Sequence, residues 1–311
     1  MTLTCGVDVG GTKIAGAVVD IDGKVLEEHR VESPATDTDA IEDAIAGLVT
    51  ELGSRHRIEA VGVGAAGYIS RSRSVVMFAP NLAWRDVDLK AELEERVDVP
   101  VVIENDANAA AWGEFRFGAA EDADEMLLVT VGTGVGGGII VDGELFRGSF
   151  GAAAEIGHLR MVPGGRLCGC GKLGCLEQYG SGSALVKGAR EAAHTPEAAV
   201  LLAEAGGDPE TITGPMITEL AQAGDPFACA QLAEIGRWLG EGIASLANVL
   251  DPAVVVIGGG VSEAGDLLLD PIRKAFEEQL TAREYRPVPE IRLATLGNRA
   301  GMIGAADLAR R

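Results

Sequence analysis

Two glycine-rich turns, DVGGTK at residues 8–13 and TVGTGVGGG at 130–138, each close an apolar strand and lead into another. A chain whose two halves open on the same strand-turn-strand device is expected to fold as two α/β lobes built on one plan. The patterning around the turns agrees. Strands are predicted at Leu3–Val9, Ile14–Asp20, Val25–Val31, Ile58–Gly64 and Val99–Glu104, with helices at Asp37–Gly53 and Asp106–Phe117. The second half repeats the order with strands at Met126–Val131 and Gly138–Val141, a helical region at Phe227–Leu250, strands at Ala253–Ile257 and Glu290–Ala294, and a helix at Ala300–Arg310. We expect a first lobe of residues 1–106, completed by the C-terminal helix 299–311, and a second of residues 107–298. The cleft between such lobes is the expected ligand site. Residues 186–226 read as helices and loops without chemistry.

With 311 residues, 47% of them apolar, the chain is long enough for a large core. The formal charge of −21, from 47 acidic and 26 basic residues of which only six are Lys, disfavours nucleic acid as a partner. It is also the charge expected of a halophilic surface, which a melting temperature rising in molar KCl would test. No apolar run approaches bilayer length and the N-terminus lacks a signal-peptide pattern, so a cytoplasmic location away from membranes is expected.

Closely spaced glycines let backbone N–H groups approach an anion. Gly62-x-Gly64-x-x-Gly67 and Gly132-x-Gly134-x-x-Gly137 match the dinucleotide fingerprint by letter, but no helical pattern follows either. In DVGGTK, an Asp at a strand end can hold hydrated Mg²⁺ while the turn and Thr12 face the phosphates. A plain hairpin turn is the alternative. Three such loops at strand ends, the third being IGGGV at 257–261, favour a nucleotide cradle.

Cys168-x-Cys170-x₄-Cys175 places three thiols on a glycine-rich loop, with His158 ten residues upstream. Zinc takes four S or N ligands tetrahedrally, and clustered cytoplasmic cysteines are more often metal ligands than disulfides. The alternative is a set of redox-active or buried small thiols. A site with four protein ligands is closed, so its zinc would be structural. ENDANAAAWGEF, residues 104–115, places Asn105 and Asp106 where a buried strand ends and a helix begins. One side chain serves as the helix cap and the other is left for a substrate.

The stretches DVGGTK, GVGAAG, FAPNLAW, ENDANAA, GTGVGGG, EIGHLR, CGCGKLGCLEQYGSG and VIGGGV occur in order across nearly the whole chain. In this the sequence resembles the ROK family of sugar kinases, most of all its glucokinase branch. The resemblance implies an α/β, two-lobed actin-like ATPase fold (the sugar kinase, Hsp70 and actin superfamily) with a central interlobe cleft. It also implies an ATP-dependent hexose kinase that phosphorylates glucose at the 6-hydroxyl, with Asp106 as general base. Substrate contacts would come from Gly64, Asn81, Asn105, Asp106, Glu155, His158 and Glu177. Asp8 would organise Mg²⁺, and Gly10, Gly11, Thr12 and Lys13 with Gly132, Thr133 and Gly134 would hold the phosphates of ATP. Gly258, Gly259 and Gly260 would lie near the adenosine. Structural Zn²⁺ would be held by His158, Cys168, Cys170 and Cys175 in a loop spanning 158–177, with the other ring nitrogen of His158 on the sugar.

A polyol must exchange many hydrogen bonds to water for bonds to protein, which suits this set of carboxylates and amides. A homo-oligomer, dimer or tetramer, is expected. Kinases for fructose, mannose, N-acetylglucosamine or N-acetylmannosamine share the motifs, because single hydroxyls decide specificity. A non-catalytic sugar sensor would be expected to lose Asp8 or Asp106, and a repressor of the family to carry a DNA-binding domain ahead of Asp8.

Overall fold

The computed structural model describes residues 2–311. By internal contacts the chain divides into two units, Met1–Leu128 with Gly137–Ala154 and Thr295–Arg311, and Val129–Gly136 with Glu155–Ala294.

In the first unit, β1 (Leu3–Val9), β2 (Lys13–Val19) and β3 (Val25–Glu32) form an antiparallel meander, followed by α1 (Thr38–Gly53) and β4 (Ile58–Ala65). Three short strands, β5 (Tyr68–Ile69), β6 (Val76–Phe78) and β7 (Arg85–Val87), make a small separate sheet. Then come α2 (Leu89–Glu94), β8 (Val101–Asn105) and α3 (Asp106–Phe117). The main sheet has the order β3-β2-β1-β4-β8, with β1, β4 and β8 parallel.

Alternation along β1 decides what each face carries. Cys5, Val7 and Val9 join the core that α1 covers with Ile41, Ile45, Leu48 and Leu52. Gly6 and Asp8 lie on the opposite face, where the last helix packs. A Cβ on Gly6 would lie 1.8 Å from Met302 O, and one on Gly62 1.8 Å from Ala305 O, so these glycines let a helix backbone rest directly on the strands.

The remaining elements are β9 (Met126–Val131), β10 (Val135–Val141), β11 (Glu144–Leu145), α4 (Glu177–Gly180), α5 (Gly182–Glu191), α6 (Ala199–Glu204), α7 (Gly214–Gln222), α8 (Pro226–Leu250), β12 (Val254–Gly258), α9 (Asp266–Gln279), β13 (Glu290–Leu293) and α10 (Ala300–Leu308). A second sheet runs β11-β10-β9-β12-β13, with β12 and β13 parallel. In the second unit α8 packs along α9 through close contacts at Gly236 and Gly240. Beyond the boundary drawn from the sequence at residue 106, the first unit also takes in α3, which packs on α10. A Cβ on Gly304 would lie 1.8 Å from Ala109 O. Strand β10 follows the Gly132–Gly137 run and β5 follows Gly67, so neither glycine pattern opens a helix. No helix among the described residues is long and apolar enough to cross a membrane.

Candidate functional site

Parallel strands present ligand-binding residues at their carboxyl ends. In the first unit Asp8 pairs in register with Gly64, and Gly64 with Glu104, so one row crosses β1, β4 and β8 just before Asn105 and Asp106. A Cβ on Gly64 would lie 3.7 Å from the Asp106 Cα. Asn105 is the cap of α3: its Oδ1 accepts the Asn108 N–H at 2.9 Å and its Nδ2 donates to Gly67 O at 3.0 Å. The Asn108 N–H is thus capped by Asn105 and not by Asp106.

Burial raises the Asp106 carboxyl, partly offset by the backbone N–H groups of Ala107 and Asp106 itself. Asp8 is pushed up from 3.8 to about 7, by burial first and by the charge of Asp106 second. Asp106 adds like charge to the buried Asp8, and two carboxylates brought together in this way fit a divalent ion. The turn after Asp8 closes with Gly10 N donating to Lys13 O at 3.0 Å, and Thr12 and Lys13 are exposed on it. Asn81, exposed in the loop before β7, approaches Gly11: a Cβ there would lie 3.2 Å from Asn81 O.

The second unit carries the other expected ligands. Glu155 is exposed and precedes a single 3-10 turn, Ile156–His158, which lies against β10 because Gly157 has no Cβ to strike Val135 O. The loop beyond it folds into a knuckle through the bridges Arg160↔Cys175 and Leu167↔Leu173, with Gly171 and Gly174 at φ +81 and +83. His158 Nδ1 stands 3.7 Å from Cys168 Sγ, and Cys170 Sγ stands 3.7 Å from Cys175 Sγ. All four ligand atoms lie within 4.8 Å of one another. A zinc tetrahedron with Zn–S bonds of about 2.3 Å has edges of about 3.8 Å, so the donor set fits in both chemistry and spacing. Burial and the adjacent thiols push Cys175 up to about 12, a protonation that a bound dication reverses.

Glu177 joins this knuckle to the second glycine turn. Cys168 Sγ donates to its Oε1 at 3.6 Å, Val135 N donates to its Oε2 at 3.3 Å, and a Cβ on Gly134 would lie 2.3 Å from that oxygen.

The second unit also encloses a cavity of about 1080 Å³ whose lining includes Gly132, Thr133, Ser183, Lys187, Gly260 and Val261. Helix α5 is capped by Ser181 Oγ on Ala184 N at 3.1 Å, and its Gly182 N donates to Gly132 O at 2.8 Å. The helix start thereby fixes the glycine turn. Of the three glycines expected beside adenosine only Gly260 lines the cavity; Gly258 is buried in β12, and Gly259, at φ +86, backs onto Val131. Residues 186–226, expected to carry no chemistry, supply much of the wall, including Lys187, Arg190, Thr218 and Gln222. Their apolar faces pack against α8 and read as ordinary amphipathic helix. The SGS at 181–183, a helix-start signal shortly after the cysteine loop, was the available clue.

The two sheets, with carboxylates at the strand ends of the first, define an actin-like ATPase fold of the kind used by sugar kinases. The chain belongs to the ROK family, whose model matches residues 4–311. The glucokinase of Streptomyces coelicolor is 54% identical over 312 residues, covering 100% of this chain and 98% of its own length. The crystal structure of a ROK family glucokinase from Streptomyces griseus in complex with glucose and AMPPNP matches with a TM-score of 0.91 at 52% identity, covering 99% of each chain. A xylose repressor of Bacillus subtilis is 32% identical over 97% of this chain, which spans 76% of that protein.

Proposed function

We propose that this protein is an ATP-dependent glucokinase that transfers the γ-phosphoryl group to the 6-hydroxyl of glucose. The observation that carries the reading is the full-length match, at 52% identity and a TM-score of 0.91, to a glucokinase in complex with glucose and AMPPNP. Asp106, raised by burial, takes the proton of the attacking hydroxyl. Asn81, Asn105, Glu155, His158 and Glu177 bind the sugar hydroxyls and hold the nucleophile for in-line attack. The turns Gly10–Lys13 and Gly132–Gly134 face the phosphates: the Gly10 and Gly132 N–H groups close the turns on Lys13 O and Gly134 O, and the N–H groups that follow are offered to the anion.

Asp8 is the residue to hold Mg²⁺, which when bound neutralises charge building on the transferred group. His158, Cys168, Cys170 and Cys175 are the residues to hold structural zinc, and by fixing that loop they keep His158 and Glu177 in place. The 1080 Å³ cavity takes the nucleoside. Its wall carries Glu191, Glu210, Glu219 and Glu263 against Lys187 and Arg190, and Arg190 is already paired with Glu210 at 3.0 Å. Such a wall suits a base and ribose better than a chain of phosphates. A cytoplasmic setting, with its ATP and reduced thiols, and a dimeric or tetrameric assembly accompany the reading.

The test is ADP release with Mg-ATP across glucose, mannose, fructose, N-acetylglucosamine and N-acetylmannosamine, at low and molar KCl. Preferential turnover of glucose is expected. Preference for another sugar overturns the substrate, and silence on all of them overturns the activity.

A further inference from the structure

Glu104 is the penultimate residue of β8, two before Asp106, and its side chain is only 3% exposed. A carboxylate so buried is costly unless both oxygens are engaged. Oε1 accepts the Asn105 backbone N–H at 3.1 Å and the Asn108 side-chain amide at 3.1 Å. Oε2 accepts Arg147 Nε at 2.7 Å, and Arg73 Nε stands 3.8 Å away. Arg147 comes from the segment after β11, 43 residues along the chain. That segment is seated on β5: a Cβ on Gly151 would lie 2.1 Å from Ile69 O.

The Asn105 cap by itself satisfies Asn108 N and would start α3. Glu104 adds a second hold, on residues that flank Asp106 on both sides, and so fixes the rotation of a turn that one cap leaves free. A buried ion pair is a weak source of stability and, where kept, a source of defined geometry. We infer that Glu104 and Arg147 are positioning residues for phosphoryl transfer: their ion pair orients the first turn of α3 and thereby aims the Asp106 carboxylate at the hydroxyl it deprotonates. The inference rests on Asp106 being the base.

Glu104→Gln keeps one acceptor but turns an amide N–H₂ toward Arg147, and Arg147→Gln removes the hydrogen-bonded cation and leaves the carboxylate only the more distant Arg73, 3.8 Å away. In the double variant two amides can pair without charge. Each single variant is expected to lower kcat on the order of 10–100-fold with the KM for ATP unchanged, and the double variant to recover part of the loss. Faster hydrogen exchange at the Ala107 and Asn108 amides should accompany the single variants without any substrate present. A fall in Tm with unchanged kcat and exchange would assign the pair a structural role only and overturn the inference. Should Glu104→Gln fail to fold, Arg147→Gln, whose side chain is 21% exposed, carries the test alone. If the wild type phosphorylates no hexose, the functional reading fails while the exchange data still decide whether the pair orders this turn.

Discussion

The thiol of Cys168 lies 3.7 Å from His158 Nδ1, so the 3-10 turn after Glu155 and the loop before Glu177 meet through two candidate metal ligands. The two expected sugar carboxylates therefore flank one cluster of candidate metal ligands. Cys170 is the exposed member of the set, and replacing it with serine removes a ligand with little change in packing. Cys170→Ser is expected to lose stoichiometric zinc, lower the Tm and weaken glucose binding about 10–100-fold, read by elemental analysis and calorimetry. Unchanged metal content would show that the ligand set is wrong.

Asp106 works as a base only when deprotonated, and burial raises its carboxyl. As pH falls, kcat/KM should therefore drop at a pH above the usual carboxylate range, near 4. Asp106→Asn should retain glucose binding and lose roughly 10²–10⁴-fold in kcat. An acid limb at an ordinary carboxylate pH, or near-normal turnover by the variant, would remove Asp106 from the role.

Burial and the charge of Asp106 push the Asp8 carboxyl up from 3.8 to about 7. A raised folded-state value means that stability is full below the unfolded value and is lost as pH rises through the interval to about 7. Asp8→Asn removes that dependence. Without Mg²⁺ its Tm should exceed that of the wild type at pH 8, and the gap should close toward pH 4. Added Mg²⁺ should raise the Tm of the wild type and not that of the variant, which would be inactive. Identical Tm-versus-pH curves for the two proteins would contradict the assignment.

Glu114 is fully buried on α3. Its Oε2 accepts Ala119 N at 2.9 Å, Thr295 N at 3.1 Å and Thr295 Oγ1 at 3.3 Å, while Oε1 accepts Leu296 N at 2.8 Å. It thus ties the residues leading into α10 to the end of α3. Glu114→Ala orphans three backbone donors and should cost about 3 kcal/mol or more, measured by urea unfolding. A loss under about 1 kcal/mol would mean that water replaces the carboxylate.

Elements with strong periodicity were legible: β1 to β4, β8, β9, β12 and β13, with α1, α3, α8 and α10, stand close to their expected bounds, whereas the 14-residue α9, with Pro271 inside it, was not read. The sheet of β5, β6 and β7 was not, since strands of two or three residues carry no alternation to read. At the candidate site, the glycine turns and the cysteine knuckle announced themselves through spacing along the chain. Glu104 did not: an acid at the end of an apolar strand looks like a strand terminus, and its partner Arg147 lies 43 residues away. Lys187 and Gln222 were hidden for a related reason. Each sits on an amphipathic helix whose pattern reports the core and says nothing about what the polar face encloses.

Gly182 puts the cavity to the test. Its N–H donates to Gly132 O at 2.8 Å, and a Cβ there would lie 2.7 Å from that same oxygen and 3.1 Å from Val261 Cγ2. Both neighbours line the cavity, and one of them is backbone. Gly182→Ala must therefore displace the 132–134 turn or the start of α5. The shift falls on the side expected to bind nucleotide, so the KM for ATP should rise roughly tenfold, equivalent to about 1.4 kcal/mol, while glucose affinity measured without nucleotide stays near the wild-type value. A variant that loses glucose affinity and keeps its KM for ATP would show that this turn serves the sugar and that the nucleoside binds elsewhere.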